Sequence, residues 1–167
     1  MASILKVNTI QDATNSTTAM TIDSTGRILT PARPAFNVWY SGSNLASTAT
    51  IVWNNVEINV GSHYDTSNGR FTAPVTGLYQ FGFTLFDGTS NGNVRVADLM
   101  GYDSSMNQKF SDSILRLQHI NHSAGDETFS ASCIAPLDAT DRVYLKFNGT
   151  ITNSTPRSCF WGYLVGH

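Results

Sequence analysis

Four side chains that can bind a divalent metal lie close together in the sequence. They are His119, His122, Asp126 and Glu127. Imidazole nitrogens and carboxylate oxygens are common metal ligands, but this spacing matches no common site. Histidines and acids at the end of a strand and in a polar turn are ordinarily just solvated. The loop at residues 87–93 offers oxygen ligands of the kind that calcium uses, although its composition is that of a surface turn. We therefore expect no bound metal.

Enzymatic motifs are absent from the sequence. It contains no Gly-x-Ser-x-Gly elbow, P-loop, dinucleotide fingerprint or HExxH motif. Asp138 and Asp141 flank a turn that leads into a strand, and we interpret them as a structural Asx turn. A glycosidase needs two carboxylates poised over a cleft, and no such pair is evident. We expect a protein that has neither catalytic activity nor a cofactor.

The composition argues against nucleic acid and membranes as binding partners of this chain. Charged residues make up 13% of the chain, against about 25% in ordinary soluble domains, and Ser, Thr and Asn take their place. The formal net charge is −2, whereas phosphate-backbone binding needs clustered Lys and Arg. No apolar run is long enough to cross a membrane, and the opening MASILKVNTIQDATN lacks the h-region of a signal peptide. We expect neither nucleic-acid binding nor membrane insertion.

The stretch that organises the chain runs from His63 to Phe86. We call its last third, Leu78 to Phe86, the organising strand. Tyr79, Phe81, Phe83 and Leu85 alternate strictly with the residues between them. This period of two predicts a strand with one fully apolar face, which needs an opposing sheet to bury it. The sequence therefore predicts a β-sandwich.

The rest of the chain is also all-β, with no convincing helical period. Asn68-Gly69 predicts a tight turn before the organising strand. Other strands of the head are predicted at residues 35–40, 51–60, 94–102, 113–120, 128–135, 142–148 and 158–165.

A short β-rich segment precedes the head. A strand is predicted from Ile4 to Ile10, and a turn at residues 23–26 follows Met20 and Ile22. Pro31 and Pro34 bracket a stiff linker. We place the N-terminal segment at residues 1–31 and the head at residues 32–167. Strands this short need a partner, because an isolated hairpin is marginal in water.

The two cysteines, Cys133 and Cys159, fall inside predicted strands. Small buried side chains are favoured, since no secretory signal is seen, and a disulfide is the alternative.

The head resembles the globular head of complement component 1q, a jelly roll shared with tumour necrosis factor. The resemblance spans roughly Pro34 to Gly166 in order and spacing. The runs that carry it are Pro34-Ala35-Phe36, Tyr64-Asp65, Asn68 to Val75, Gly77 to Phe81, Leu137 to Val143 and Phe160 to Val165. It implies a ten-stranded jelly roll that assembles as a homotrimer, recognises other molecules and has no catalytic activity.

The opening resembles a different group of proteins. The runs ASILKVNTIQD and AMTIDSTGRIL are similar to the start of tail-fibre and virion proteins of tailed phages, notably those of cyanobacteria. This implies a virion protein made in the host cytoplasm and exposed on the particle surface. Residues 1–31 would dock to a tail or capsid protein, and the head would bind a host-surface glycan or protein. A decoration protein without a receptor and a cellular recognition module are alternatives.

Apolar groups on both faces of the organising strand imply a second burial surface. The resemblance makes this surface the three-fold interface. The expected interface and core residues are Trp39, Leu78, Tyr79, Phe81, Gly82, Phe83, Trp161 and Tyr163.

Strand parity predicts where a receptor would bind. Alternate loops of an antiparallel jelly roll lie at the same end, which gathers residues 87–93, 121–127 and 149–157. The resemblance puts both termini at the stalk end, which would make these loops distal and add residues 41–48. The alternative is that they are merely soluble turns. The candidate receptor-binding residues are Asp87, Asn91, Asn93, His122, Asp126, Asn153 and Arg157.

Overall fold

A computed structural model describes residues 5–41, 45–46, 50–88, 92–120, 127–151 and 157–166. The chain divides into two compact units, Met1–Arg33 and Pro34–His167. This boundary lies two residues beyond the one expected from the sequence.

The N-terminal unit is a three-stranded antiparallel sheet in the order β1-β2-β3. Its strands are β1 (Thr9–Gln11), β2 (Thr18–Ile22) and β3 (Ile28–Leu29). A strand was predicted from Ile4 to Ile10, but among the described residues, which start at Leu5, it begins at Thr9, so that prediction was too long. The reason is the length of its partner, since β2 ends at Ile22 and the chain then turns.

The turn between β2 and β3 is built on Asp23. Its carboxylate accepts hydrogen bonds from the backbone N–H groups of Thr25 and Arg27, at 2.9 and 3.0 Å, and from the Thr25 hydroxyl at 2.7 Å. Gly26 has a φ of 83°, which glycine adopts without strain. The predicted turn is confirmed.

The second unit is a sandwich of two antiparallel sheets. Its strands are β4 (Ala35–Trp39), β5 (Leu45–Ala46), β6 (Asn55–Val60), β7 (Tyr64–Asp65), β8 (Arg70–Thr72), β9 (Gly77–Asp87), β10 (Val94–Tyr102), β11 (Leu115–Ile120), β12 (Glu127–Leu137), β13 (Arg142–Phe147), β14 (Thr150–Ile151) and β15 (Cys159–Gly166).

We name the two sheets after their long strands. The β10 sheet has the order β11-β10-β13-β8-β7. The β9 sheet has the order β5-β14-β9-β15-β4-β6, and β12 also pairs with β9. The strands of the head in the described part of the chain outnumber the expected ten, because the sandwich includes two-residue pieces such as β5 and β14.

The core lies between the two sheets. Tyr79, Phe81, Phe83 and Leu85 are almost completely buried, as the alternation in β9 predicted. Phe71 from the β10 sheet packs edge-on against Phe81, with ring centroids 5.7 Å apart. The all-β jelly-roll prediction is confirmed.

The strand β15 fills the gap between β4 and β9. Trp161 stands opposite Asn37 of β4 on one side and opposite Gly82 of β9 on the other. The last strand in chain order therefore joins two strands that are far apart in the sequence.

The strand β12 is longer than predicted, since it continues through Pro136 to Leu137. Among the described strands it forms a ladder only with β9. Proline is tolerated in such an edge strand, because its missing N–H need not serve a second neighbour.

The two cysteines are on opposite sides of the β9 sheet. Cys133 stands opposite Phe81, on the core side, whereas Cys159 stands opposite Thr84, on the other side. Both thiols are free, so the disulfide alternative is not realised in this structure. Burial raises the pKa of the Cys133 thiol, which keeps it protonated at neutral pH.

Among the described residues, no helix is long and apolar enough to span a membrane.

Candidate functional site

Strand pairing brings the ends of the predicted distal loops together. Asp87 stands opposite both Glu127 and Ile151, and Val94 stands opposite Ile120. The four candidates Asn91, His122, Asp126 and Asn153 lie outside the described residues. Asp87, Asn93 and Arg157 can be placed.

Asp87 is not a loop residue. It is the last residue of β9, is fully buried, and forms an ion pair with the Nε atom of Arg95, which is also buried. The sequence suggested a loop because Asp87 is followed by Gly88 and further turn residues. Its partner becomes evident only once β9 and β10 are known to adjoin at this point. Asp87 therefore has a structural role at the end of β9 and is not exposed to a receptor.

Arg157 and Asn93 are exposed at this end. The guanidinium carbon of Arg157 lies 5.0 Å from the centre of the Phe86 ring. The backbone N–H of Phe86 donates a hydrogen bond to the buried Ser158 hydroxyl, at 2.8 Å. These contacts hold Arg157 beside β9 while its charge faces solvent, where a ligand can reach it.

The suspected metal ligands are only partly placed. His119 contacts the Glu127 carboxylate through Nε2, and its ring stacks on Phe129 with centroids 5.9 Å apart. His122 and Asp126 lie outside the described residues. Within the described ranges, no group of three or more His, Cys, Asp or Glu side chains could hold a metal ion.

Asp138 and Asp141 serve the fold. The Asp138 N–H donates to the Asp141 carboxylate at 2.8 Å, and Lys109 forms ion pairs with both aspartates. The structural role agrees with the prediction, but the turn is not an Asx turn, because the Asp141 carboxylate accepts from a residue that precedes it.

A second candidate surface is the face of the β9 sheet that points away from the core. Trp161 and Tyr163 stack on this face with ring centroids 6.2 Å apart and planes 16° apart. Their polar neighbours are satisfied locally, since the Tyr163 hydroxyl donates to Gln80 at 2.6 Å. The indole N–H of Trp39 similarly donates to Glu57 at 2.8 Å. The rings are thus held in place and leave an apolar surface, together with Leu78.

The other predicted interface or core residues lie elsewhere. Tyr79, Phe81 and Phe83 point into the core, and Gly82 is buried beneath the Trp161 ring of the same chain. Of the predicted set, the residues that present side chains on the outward face are Trp39, Leu78, Trp161 and Tyr163.

Sequence reasoning missed two members of this apolar face. Ile134 is 58% exposed and stands opposite Gln80, and Ile58 is 48% exposed and stands opposite Asn37. The sequence could have revealed Ile134, because it follows Thr128, Ser130 and Ser132 at alternate positions and is the apolar residue on that polar side of the strand.

The comparison with protein families agrees with this architecture. The profile of the C1q domain matches residues 35–165, which is most of the chain. The chain belongs to the C1q domain family. Domains of this family are typically trimeric recognition modules rather than enzymes.

A curated relative of this C1q chain is protein HP-25 homolog 2 of Bos taurus, which is 30% identical over 142 residues. The alignment covers 82% of this chain and 60% of the bovine protein. The chain therefore spans less than two thirds of that relative's length.

Solved structures show the same fold as the C1q head. The globular domain of zebrafish complement 1qA is 18% identical and superposes with a TM-score of 0.60 over 80% of this chain and 97% of the other. Eiger TNF from S. frugiperda is 12% identical, with a TM-score of 0.66 over 81% of this chain and 94% of the other.

Proposed function

We propose that this chain is a homotrimeric recognition protein whose C1q head binds a host-surface molecule and whose N-terminal unit attaches it to a bacteriophage particle. The head is the binding end and the N-terminal unit is the anchor.

The observation that carries the trimer is the apolar outward face of the β9 sheet. Leu78, Ile58 and Ile134 are each more than 40% exposed there, beside the stacked rings of Trp161 and Tyr163. Contiguous exposed apolar surface marks an interaction site. Family membership supports a second and third copy of the chain as its occupants. Association would bury the same face on every protomer around one axis.

The loop end supports the recognition role. Strand pairing gathers several loops on a rigid sandwich, and binding residues concentrate on loops held in this way. Arg157 and Asn93 are exposed there. These loops are the proposed receptor surface.

The N-terminal unit supports an attachment role. Large apolar side chains are exposed throughout it, including Leu5 at 82%, Ile28 at 62% and Leu29 at 49%. Three strands of two to five residues are too few to bury them. Docking into a virion protein would cover these side chains, and the resemblance to phage fibre proteins names that class of partner.

Deleting residues 1–31 tests the anchor. We expect a soluble, folded trimer by circular dichroism and light scattering that no longer incorporates into phage particles. Incorporation of the truncated head at the level of the full chain would contradict the proposal.

A combined variant tests the receptor surface. Changing Asn91, Asn93, His122 and Arg157 together to Ala should abolish host-cell binding and leave the melting temperature nearly unchanged. If host cells bind the variant as they bind the parent, the loops are not the receptor site. If the parent itself binds no host cell, a decoration role on the particle replaces the receptor role.

A second candidate is a cellular C1q-like recognition module, which the similarity to the bovine relative favours. Genomic neighbours separate the two candidates. Tail or capsid genes on either side would support the virion protein, and cellular genes would overturn it.

A further inference from the structure

We propose that a pocket on the outer face of the β10 sheet, formed by Arg70 and Arg142, binds the carboxylate or sulfate group of an acidic monosaccharide unit. This goes beyond the proposed function, since it names a ligand class and a site away from the predicted loops.

The pocket lies where the β7–β8 hairpin meets β13. It has a volume of about 270 Å³ and is lined by Asp65, Asn68, Arg70, Thr72 and Arg142. Arg142 stands opposite Thr72, while the neighbouring pair Val143 and Phe71 is buried in the core. Since side chains alternate along a strand, Arg70 and Arg142 point away from the core into this pocket.

Neither arginine has an ion-pair partner. Among the described residues, no carboxylate oxygen lies within 4 Å of a guanidinium nitrogen of Arg70 or Arg142, although ion pairs form at other basic residues. The Nε atom of Arg70 is buried and has no hydrogen-bond acceptor in the described part of the chain. Because Nε has almost no exposed surface, an anion in the pocket would bind the terminal guanidinium nitrogens of Arg70 instead.

Two carboxylates interact electrostatically with these arginines, Asp65 with Arg70 and Asp103 with Arg142, and both are engaged in turns. Asp65 accepts hydrogen bonds from the Ser67 N–H and hydroxyl and from the Asn68 amide, at 2.6 to 2.8 Å. Asp103 accepts in the same way from the Ser105 and Asn107 N–H groups and from the Asn107 amide, at 2.8 to 3.0 Å. These carboxylates lower the local potential but do not neutralise the arginines by contact. Among the residues that line the pocket, two guanidinium groups stand beside one carboxylate, that of Asp65.

Arg70 is held in place by its surroundings. Its guanidinium carbon lies 5.5 Å from the centre of the Tyr144 ring, and its Nη1 donates weakly to the Met106 sulfur at 3.8 Å. The Lys146 ammonium lies 5.7 Å from the centre of the same ring. A guanidinium that is fixed in this way and lies beside Arg142 is suited to bind a planar or tetrahedral oxyanion. It can contact such an anion through two N–H groups.

The size and lining of the pocket favour a sugar unit as the carrier. The volume is below the roughly 300 Å³ at which pockets for drug-sized ligands begin, so it admits a single small group. Asn68 and Thr72 offer hydrogen-bonding groups for hydroxyls. Tyr102 stands opposite Arg142 and is partly exposed, and its ring stacks on the buried Tyr144 ring with centroids 5.4 Å apart. The Tyr102 ring therefore offers apolar surface for a sugar ring.

The site remains open in the proposed trimer. It lies on the β10 sheet, whereas the proposed protomer contacts use the β9 sheet. Arg142 stands opposite Tyr102, at the other end of β10 from Val94 and the predicted receptor loops. Failure of this inference would therefore leave the trimer and the loop proposals standing.

Binding is measured on the full chain by calorimetry with three probes: methyl glucuronide, inorganic sulfate and methyl glucoside. We expect the glucuronide to bind at least tenfold more tightly than the neutral glucoside. Equal affinities for the glucuronide and the glucoside, or no heat from either at millimolar concentration, would overturn the site. If sulfate binds as tightly as the glucuronide, the saccharide assignment is wrong and the site is one for free oxyanions.

Variants distinguish binding in the pocket from nonspecific attraction of an anion to positive charge elsewhere on the protein. Arg70→Gln and Arg142→Gln should each weaken glucuronide binding about tenfold, as expected for one charge-assisted hydrogen bond. Arg70→Lys should weaken it too, because the charge remains but the two-pronged donor is lost. The matched control is Arg116→Gln on β11, since Arg116 is already paired with Asp98. Affinity lost equally in the control, or unchanged in Arg142→Gln, would contradict the proposal. Light scattering and thermal melting on the same samples confirm that each variant is folded and assembled.

Discussion

The indole of Trp161 lies directly over Gly82 on the neighbouring strand. A β-carbon placed on Gly82 would be only 2.1 Å from Cζ2 of Trp161. Any larger residue would therefore have to displace the ring. The absence of a side chain at Gly82 lets Trp161 lie flat against the β9 sheet and stack on Tyr163.

Gly82→Ala should disturb the outward apolar face. The added methyl group forces Trp161 away from the sheet, and overpacking of this kind typically costs about 1–3 kcal/mol. We expect a lower melting temperature and a trimer that dissociates at a higher protein concentration, measured by light scattering over a dilution series. The matched control is Gly166→Ala on β15, where a β-carbon meets nothing within 4 Å. A Gly82→Ala protein as stable and as well assembled as this control would contradict the placement of Trp161.

Ile134→Asp should convert the trimer into a folded monomer. Ile134 is 58% exposed on the apolar face, and a carboxylate there would have to lose its hydration when protomers associate. We expect the dissociation constant of the trimer to rise at least about tenfold, with the circular dichroism of the head unchanged. Ile120→Asp is the control, because Ile120 is 63% exposed but belongs to the β10 sheet. Equal loss of assembly in both variants would move the interface away from the β9 sheet.

Asp87→Ala should destabilise the head strongly. Arg95 would be left buried without its carboxylate, and breaking a buried ion pair in this way costs about 3–5 kcal/mol. Chemical denaturation measures the loss. The double variant Asp87→Ala/Arg95→Met should regain part of it, since it removes the buried guanidinium as well.

The exposed pair of Asp98 and Arg116 serves as the comparison for that experiment. The Arg116 side chain is 46% exposed, and removing such a pair costs at most about 1 kcal/mol. If Asp87→Ala costs no more than Asp98→Ala, then Asp87 is not buried as described.

The turn at Asp23 should persist in acid. Hydrogen bonds lower the pKa of this carboxyl to about 2, and the Arg27 backbone N–H contributes most, followed by the Thr25 hydroxyl. A carboxyl whose pKa is lowered by folding stabilises the fold above its ordinary value of 3.8, and this contribution disappears as the pH falls through about 2. Nuclear magnetic resonance should show a titration midpoint near 2 for the Asp23 carboxyl. The chemical shift of the Arg27 amide should change with the same midpoint, because this N–H donates to Asp23. Asp23→Asn should remove the pH response of that amide. A midpoint at the ordinary value would contradict the turn geometry.

The core was predictable because its signal is local. The alternation of Tyr79, Phe81, Phe83 and Leu85 depends only on the pleat of one strand, and each is buried as expected. The turn at Asn68-Gly69 was equally local, and Gly69 has a φ of 73°.

The features that were not predictable depend on pairing between distant strands. Arg70 and Arg142 adjoin because β8 pairs with β13 across some seventy residues of sequence. Ile58 reaches the apolar face because β6 pairs with β4, which places it opposite Asn37. Asp87 was assigned to a loop because turn residues follow it, and its burial depends on strands that arrive much later in the chain. No pattern within a single strand carries this information.

The position of β15 between β4 and β9 also determines when the head can fold during synthesis. Residues 159–166 are translated last among these strands, yet they provide the ladders that join Phe36 and Val38 to Phe81 and Phe83. Until β15 has left the ribosome, the β9 sheet consists of two separate halves whose aromatic faces are only partly covered. Contacts of such long sequence separation make folding slow and leave the unfinished chain prone to aggregation. The core of the nascent head therefore stays incompletely buried until β15 has been synthesised and paired with β4 and β9.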